Sequence, residues 1–165
     1  MARSRFTDRD LGWKKIKREI TKMDKGSVLV GILSDAGIHK GGKEEGESSK
    51  QASYAKIATV HEYGFKPKNI PSRPFLRQTA ENKSTSLRSF LDKLVLKIYD
   101  GHATTKDALN LLGLKYQGWV KKEITRGNFE NLKASTIRRR KRGSSKPLID
   151  TGLLRKKIDY EVKGV

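Results

Sequence analysis

The 165-residue chain carries 37 lysines and arginines against 18 aspartates and glutamates, a formal net charge of +19, with 35% hydrophobic residues and no cysteine. That length fits one domain spanning residues 1–165, and the missing thiols exclude disulfide scaffolds, cysteine zinc sites and thiol catalysis, in keeping with synthesis in a cytosol. No apolar run approaches the roughly 20 residues that span a bilayer and no apolar stretch follows the basic start Met1 to Phe6, so neither a membrane partner nor a secretion leader is expected, while the charge points to polyanionic partners.

Residues 8–23 predict a helix. Trp13, Ile16, Ile20 and Met23 recur on one face among lysines, with Asp8 or Asp10 at its start. Asp24 to Gly26 end it, and the β-branched run Ser27 to Leu33 predicts a strand buried on both faces or nearly so. Residues 34–52 are rich in Gly, Ser and charge and predict a flexible loop. Within it, Gly37 to Lys43 fits the phosphate-loop spacing G-x-x-x-x-G-K. Glu44 stands where the magnesium-binding Ser or Thr belongs, and no apolar helix follows, so the match lacks its context.

Ser53 predicts the cap of a short helix carrying Tyr54, Ile57, Ala58 and His61, stopped by Glu62-Tyr63-Gly64. Residues 64–74 hold three of the four prolines and predict an extended, non-helical connector. A long helix follows over 74–99, with Leu87, Phe90, Leu91, Leu94, Val95 and Ile98 as its apolar stripe. Another runs over 105–126, capped by Thr104 or Thr105, with the stripe Ala108, Leu111, Leu112, Tyr116, Trp119, Val120 and Ile124. Arg126-Gly127 ends it. Residues 128–146 predict a basic arm: Lys133, Arg138, Arg139, Arg140, Lys141, Arg142 and Lys146 occur there with no acid after Lys133. Arg138 to Arg142 are candidates for contact with DNA phosphates or with an acidic protein surface, since guanidinium forks suit both. Pro147 to Gly152 predict a turn, and Leu153-Leu154 a helical turn. Ile158, Tyr160 and Val162 alternate with Asp159, Glu161 and Lys163 as in a half-buried strand.

No nucleophile, base or metal-ligand set has its required spacing. His61-Glu62 lacks the second histidine of a metalloprotease helix. The sequence predicts a protein that is not an enzyme and takes no cofactor and no metal. No nucleic-acid-binding module surrounds the basic run, and no aromatics are interleaved with it for base stacking.

Two stretches carry a resemblance. The first is Ile57-Ala58-Thr59-Val60-His61-Glu62-Tyr63-Gly64, followed by Ile70-Pro71-Ser72-Arg73-Pro74-Phe75-Leu76. The second is Ser135-Thr136-Ile137-Arg138-Arg139-Arg140-Lys141, followed by Lys146-Pro147-Leu148-Ile149-Asp150-Thr151-Gly152-Leu153-Leu154 and Ile158 to Val162. In order and spacing, over about 53–162, they resemble the tail completion (virion morphogenesis, neck) proteins of tailed bacteriophages. The resemblance implies an α+β subunit, a small antiparallel sheet packed against several helices, with long loops and arms. It implies a ring, sixfold by expectation, that joins the tail to the head at the neck of the virion. Its partners would be other copies of itself, the tail terminator or tail tube, the connector on the portal side and the passing genomic DNA. Assembly would take place in the host cytoplasm. The motif residues His61, Glu62, Tyr63, Gly64, Pro71, Arg73, Pro74, Phe75, Pro147, Asp150, Thr151 and Gly152 carry either fold architecture or partner contact. Arg73 is expected to face outward or to pair with a carboxylate. The remaining alternative is a free protein that binds nucleic acid without sequence preference.

Overall fold

A computed structural model describes residues 12–33, 36–39, 52–140 and 144–165. The fold is α+β, with six helices and a small antiparallel sheet packed against them among the described residues. In chain order come α1 (Trp13–Met23), β1 (Ser27–Gly31), β2 (Ile38–His39), β3 (Ala52–Ser53) and α2 (Tyr54–Tyr63). A 3₁₀ turn (Lys66–Lys68) leads to α3 (Phe75–Tyr99), α4 (Thr105–Arg126), α5 (Ala134–Arg139), α6 (Leu153–Lys156) and β4 (Asp159–Lys163).

The long antiparallel pair α3 and α4 forms the frame. Its capping is local chemistry: the Thr104 hydroxyl accepts from the Asp107 amide while the Asp107 carboxylate accepts from the Thr104 amide. This reciprocal box satisfies donors that the first helical turn leaves without partners. Strand β1 pairs with β4, Ser27 opposite Lys163 through Gly31 opposite Asp159, and α4 lies against both strands. One core gathers Ala58, Phe75, Val120, Ile124, Phe129, Leu148, Leu154 and Ile158 from α2, α3, α4, α6 and the segments between α4 and β4. A smaller one gathers Leu94, Ile98 and Ala108 beside Met23 and Phe90.

Several expectations change here. Helix α1 begins at Trp13 behind Gly12, and Asp8 and Asp10 lie outside the described residues. Its buried residue is Glu19, while Trp13 is 65% exposed. The Glu19 carboxylate accepts from the Thr105 amide at 2.7 Å and from Lys22 Nζ at 2.7 Å, and the Thr105 hydroxyl donates to the Glu19 carbonyl. The Lys22 ammonium and then the Thr105 amide hold the Glu19 carboxyl below its ordinary pKa. Strand β1 is covered on one face only. Val28 and Val30 are half-buried and Leu29 is exposed, because helices stack on a single side of this two-stranded sheet. Beside the 34–52 segment, Ile38 and His39 pair with Ser53 and Ala52, so its described ends are strands rather than loop. Residues 40–51, with most of the G-x-x-x-x-G-K stretch, lie outside the described residues. Leu91 and Leu111 of the two long stripes are exposed.

Gly113 explains how close α4 comes to the sheet. A Cβ there would run into the ring of Tyr160 on β4. Gly113→Ala is therefore expected to destabilise the fold by about 1–3 kcal/mol through overpacking. The check is a fall in the thermal midpoint, whereas an unchanged midpoint would show that Tyr160 can swing away.

Candidate functional site: the hub where the two motifs meet

The sequence from His61 to Phe75 makes one tight loop. Gly64 takes φ 78°, and a Cβ there would stand 2.9 Å from the Ser72 amide nitrogen, so only glycine passes. Phe65 and Ile70 exchange both backbone hydrogen bonds around the 3₁₀ turn, at 2.8 and 3.1 Å. The Ser72 hydroxyl donates to the Glu62 carbonyl at 2.7 Å, and the Arg73 amide donates to the His61 carbonyl at 2.6 Å. The connector thus folds back along the last turn of α2. It is extended except at 66–68, where the sequence predicts no helical turn at all.

Glu62 is buried on the last turn of α2, and its carboxylate leaves its own helix. It accepts from the amides of Leu76 at 3.0 Å and Arg77 at 2.9 Å, the first turn of α3. Helix α3 starts behind Pro74, which offers no side-chain cap, and its first turn holds no acid. Glu62 supplies both the missing acceptor and the negative charge that a helix N-terminus favours. Tyr63 is exposed, and its ring lies beneath the Arg77 guanidinium at 5.8 Å. Phe75 is fully buried and fixes α3 on the core.

Arg73 faces inward and is 4% exposed, against the expectation of an outward side chain or a carboxylate pair. Its Nε donates to the backbone carbonyl of Glu130 at 3.2 Å, which ties the connector to the segment following α4. Burial lowers the guanidinium's pKa while the Glu130 carboxylate opposes that shift. Residues 128–140 are accordingly tied to the rest of the molecule at particular points. Phe129 anchors the expected basic arm in the core and Ala134–Arg139 is helical, while Lys133, Arg138 and Arg139 are exposed.

Arg140 departs most from the sequence reading. Its Nη1 donates to the carbonyls of Ser144 at 2.9 Å, Lys146 at 2.6 Å and Ile149 at 2.9 Å, and its Nη2 donates to Pro147 at 2.8 Å. One guanidinium holds the whole turn 144–149 and so is no free surface cation. Arg138 and Arg139 are exposed, and Lys141 and Arg142 lie outside the described residues. The turn then reaches Asp150, Thr151 and Gly152. Asp150 is exposed, the Thr151 hydroxyl accepts from the Leu153 amide, and Gly152 at φ 76° opens α6.

The two motifs, with residues 77–134 between them in the chain, line one cavity of about 130 Å³. Tyr54, Ile57 and His61 come from α2, and Arg140, Pro147, Asp150 and Thr151 come from the second motif. His61 Nδ1 is buried there without a hydrogen-bond partner among the described residues. Burial first, then the positive charges of Arg73 and Arg140, push the imidazole's pKa down to about 4. A folded-state value below the ordinary 6.5 means that the unfolded chain takes the proton first as pH falls. The contribution of neutral His61 is therefore complete above about pH 6.5 and is lost towards pH 4, by up to about 3 kcal/mol. Wild type and His61→Asn, compared by urea midpoint at pH 7 and pH 4.5, should show a steeper acid loss in the wild type. Equal slopes would mean that the histidine is not the group responsible.

Among the described residues no group of three or more His, Asp or Glu side chains is placed to hold a metal ion. No helix among them is long and apolar enough to cross a membrane. No family model matches the chain, and no solved structure matches it. The chain is similar to an uncharacterized protein of Methanocaldococcus jannaschii, 24% identical over 101 residues, which cover 56% of this chain and 75% of that protein.

Proposed function

We propose that the chain is a non-enzymatic structural protein of a tailed-phage virion, a ring-forming neck or tail-completion subunit that joins the tail to the head. The observation that carries this reading is the hub. The two stretches that resemble tail completion proteins pack on each other, with Arg140 of the second stretch beside His61 of the first. Motif residues that hold one another in place, rather than presenting a nucleophile or a metal set, suit a part whose work is assembly. Rings of identical subunits are closed by head-to-tail contacts between two different surfaces of each copy. The partners under this reading are further copies, the tail terminator or tube, the portal-side connector and the genomic DNA that crosses the ring. The protein belongs in the virion after assembly in the host cytoplasm.

Electron micrographs of the purified protein should contain closed rings, and a protein that stays monomeric at every concentration would sink the ring. The charge of +19 favours a second reading, a free nucleic-acid-binding protein. That reading requires tight DNA binding by the isolated chain, with log affinity falling steeply against log salt.

A further inference from the structure

Arg73 is a buried cation with donors to spare. It is 4% exposed, and no carboxylate forms an ion pair with it among the described residues. Its Nε donates to the Glu130 carbonyl, and no described group accepts from its terminal Nη1 and Nη2. A guanidinium taken out of water keeps its charge, and its hydrogens ordinarily find a carboxylate or other acceptors. Among the described residues the side-chain atom that is sealed from solvent without a partner is His61 Nδ1, so the Arg73 nitrogens still touch open space. That space is a groove of about 460 Å³ beside the hub, lined by Arg73 and by parts of residues 68–71 and 130–140.

The fork is held in place before any ligand arrives. The Arg73 amide donates to the His61 carbonyl at 2.6 Å, Pro74 restricts the Arg73 backbone, and the Nε bond to Glu130 orients the guanidinium plane. Around the mouth stand Lys68, Lys133 and Arg139, all exposed and none paired with a carboxylate among the described residues. Arg140 adds its charge, although its hydrogens go to the 144–149 turn. Glu130 beside Arg73 and Asp150 beside Arg140 offset part of this charge and leave the groove cationic.

We propose that this groove binds a phosphate group, seated on the Arg73 fork and enclosed by Lys68, Lys133 and Arg139. A carboxylate would satisfy the fork and leave the cations of the mouth unmatched. A phosphate has oxygens for both and carries more charge, and a planar guanidinium meets it with parallel hydrogen bonds. The groove is wider than one phosphate, so it takes the group together with part of its carrier. That carrier is either a nucleic-acid strand or a free phosphorylated molecule, and the same oxygens serve in both. The site needs no second copy of the chain and is independent of the ring reading.

The test titrates the full chain with inorganic phosphate at constant ionic strength, read by calorimetry and by the ring resonances of His61, which lines the same groove. Wild type should saturate, with the His61 signals shifting in step. Arg73→Lys keeps the charge and loses the fork, and Lys68→Ala with Arg139→Ala strips the mouth; each should bind at least about tenfold more weakly. Lys93→Ala with Lys97→Ala, exposed on α3, removes the same charge elsewhere and should bind like wild type. Circular dichroism checks folding, and if Arg73→Lys does not fold the mouth variant decides. A single-stranded DNA oligonucleotide separates the carriers. Displacement of phosphate, with affinity lost in the mouth variant and kept in the α3 variant, assigns the site to a nucleic-acid strand. An oligonucleotide that leaves bound phosphate in place assigns it to a free phosphorylated molecule. The site is overturned if phosphate does not saturate wild type, if the mouth variant binds like wild type, or if the α3 variant loses as much. Acetate binding as tightly as phosphate overturns the choice of ligand.

Discussion

Arg140→Ala is expected to lose the turn 144–149 and to destabilise the protein by about 3 kcal/mol, more than any other change in the basic run. Hydrogen bonds from a charged donor contribute about 1.5–3 kcal/mol each, and a buried acceptor that loses its partner adds a further penalty. Four carbonyls depend on this one side chain. The figure stays well below a simple sum, because part of the turn is exposed and its carbonyls turn to water when released. Arg140→Lys should rescue little, since an ammonium has no planar fork to span the same carbonyls. Arg138→Ala and Arg139→Ala should stay within about 0.5 kcal/mol of wild type, as exposed positions do. Denaturant midpoints of the four variants check this. If Arg140→Ala matched Arg139→Ala, the guanidinium clasp would carry no stability. The same contrast bears on the basic run read from sequence, by which Arg139→Glu with Arg140→Glu would impair assembly or DNA retention and leave the fold intact. Arg140→Glu would damage the turn itself, so only Arg138 and Arg139 can report on surface contact.

The second large effect is expected at Glu62. Glu62→Ala removes both acceptors of the α3 amides and leaves a void at the junction of two helices. The loss should be about 2–4 kcal/mol, from the helix cap and from charged hydrogen bonds. Glu62→Gln keeps one carbonyl acceptor and the shape, and should lose roughly half as much; a glutamine as damaging as alanine would mean that charge rather than geometry dominates. Glu81→Ala, on an exposed part of the same helix, serves as the control and should leave the midpoint unchanged. Amide exchange adds a local check: Leu76 and Arg77 should lose protection in Glu62→Ala while the middle of α4 keeps its own.

The helices other than α5 were legible because their signals are periodic or local. The stripes of α3 and α4 repeat at helical spacing, and Ser53 and Thr104 cap the helices that they precede. The alternation of Ile158, Tyr160 and Val162 sets the inward face of β4. What stayed hidden was the use of charged residues as internal ties. Glu19, Glu62, Arg73 and Arg140 each reach a backbone group outside their own element. Such ties have no period, because the partner is any main chain that the fold brings near. In the sequence Glu19 stands among surface lysines and Arg140 reads as one of five basic neighbours. The resemblance drew attention to Glu62 and Arg73 and the basic run to Arg140, but neither pointed to a tie with distant main chain. Strand β1 misled for a different reason: its apolar run suits a sheet covered on both faces, and this sheet has helices on one.

The proposed function rests on the resemblance. Composition alone favoured nucleic acid, because 37 basic residues outweigh 18 acidic ones. The structure redistributes that charge. Arg73 and Arg140 serve the fold, while Lys68, Lys133 and Arg139 are exposed at the border of a groove.

The central claim, that this protein joins head to tail, is tested most directly by electron microscopy of particles made with and without it. The account predicts filled heads and finished tails that remain separate when the protein is missing, and joined particles when it is restored. Intact, infective particles in its absence would contradict it.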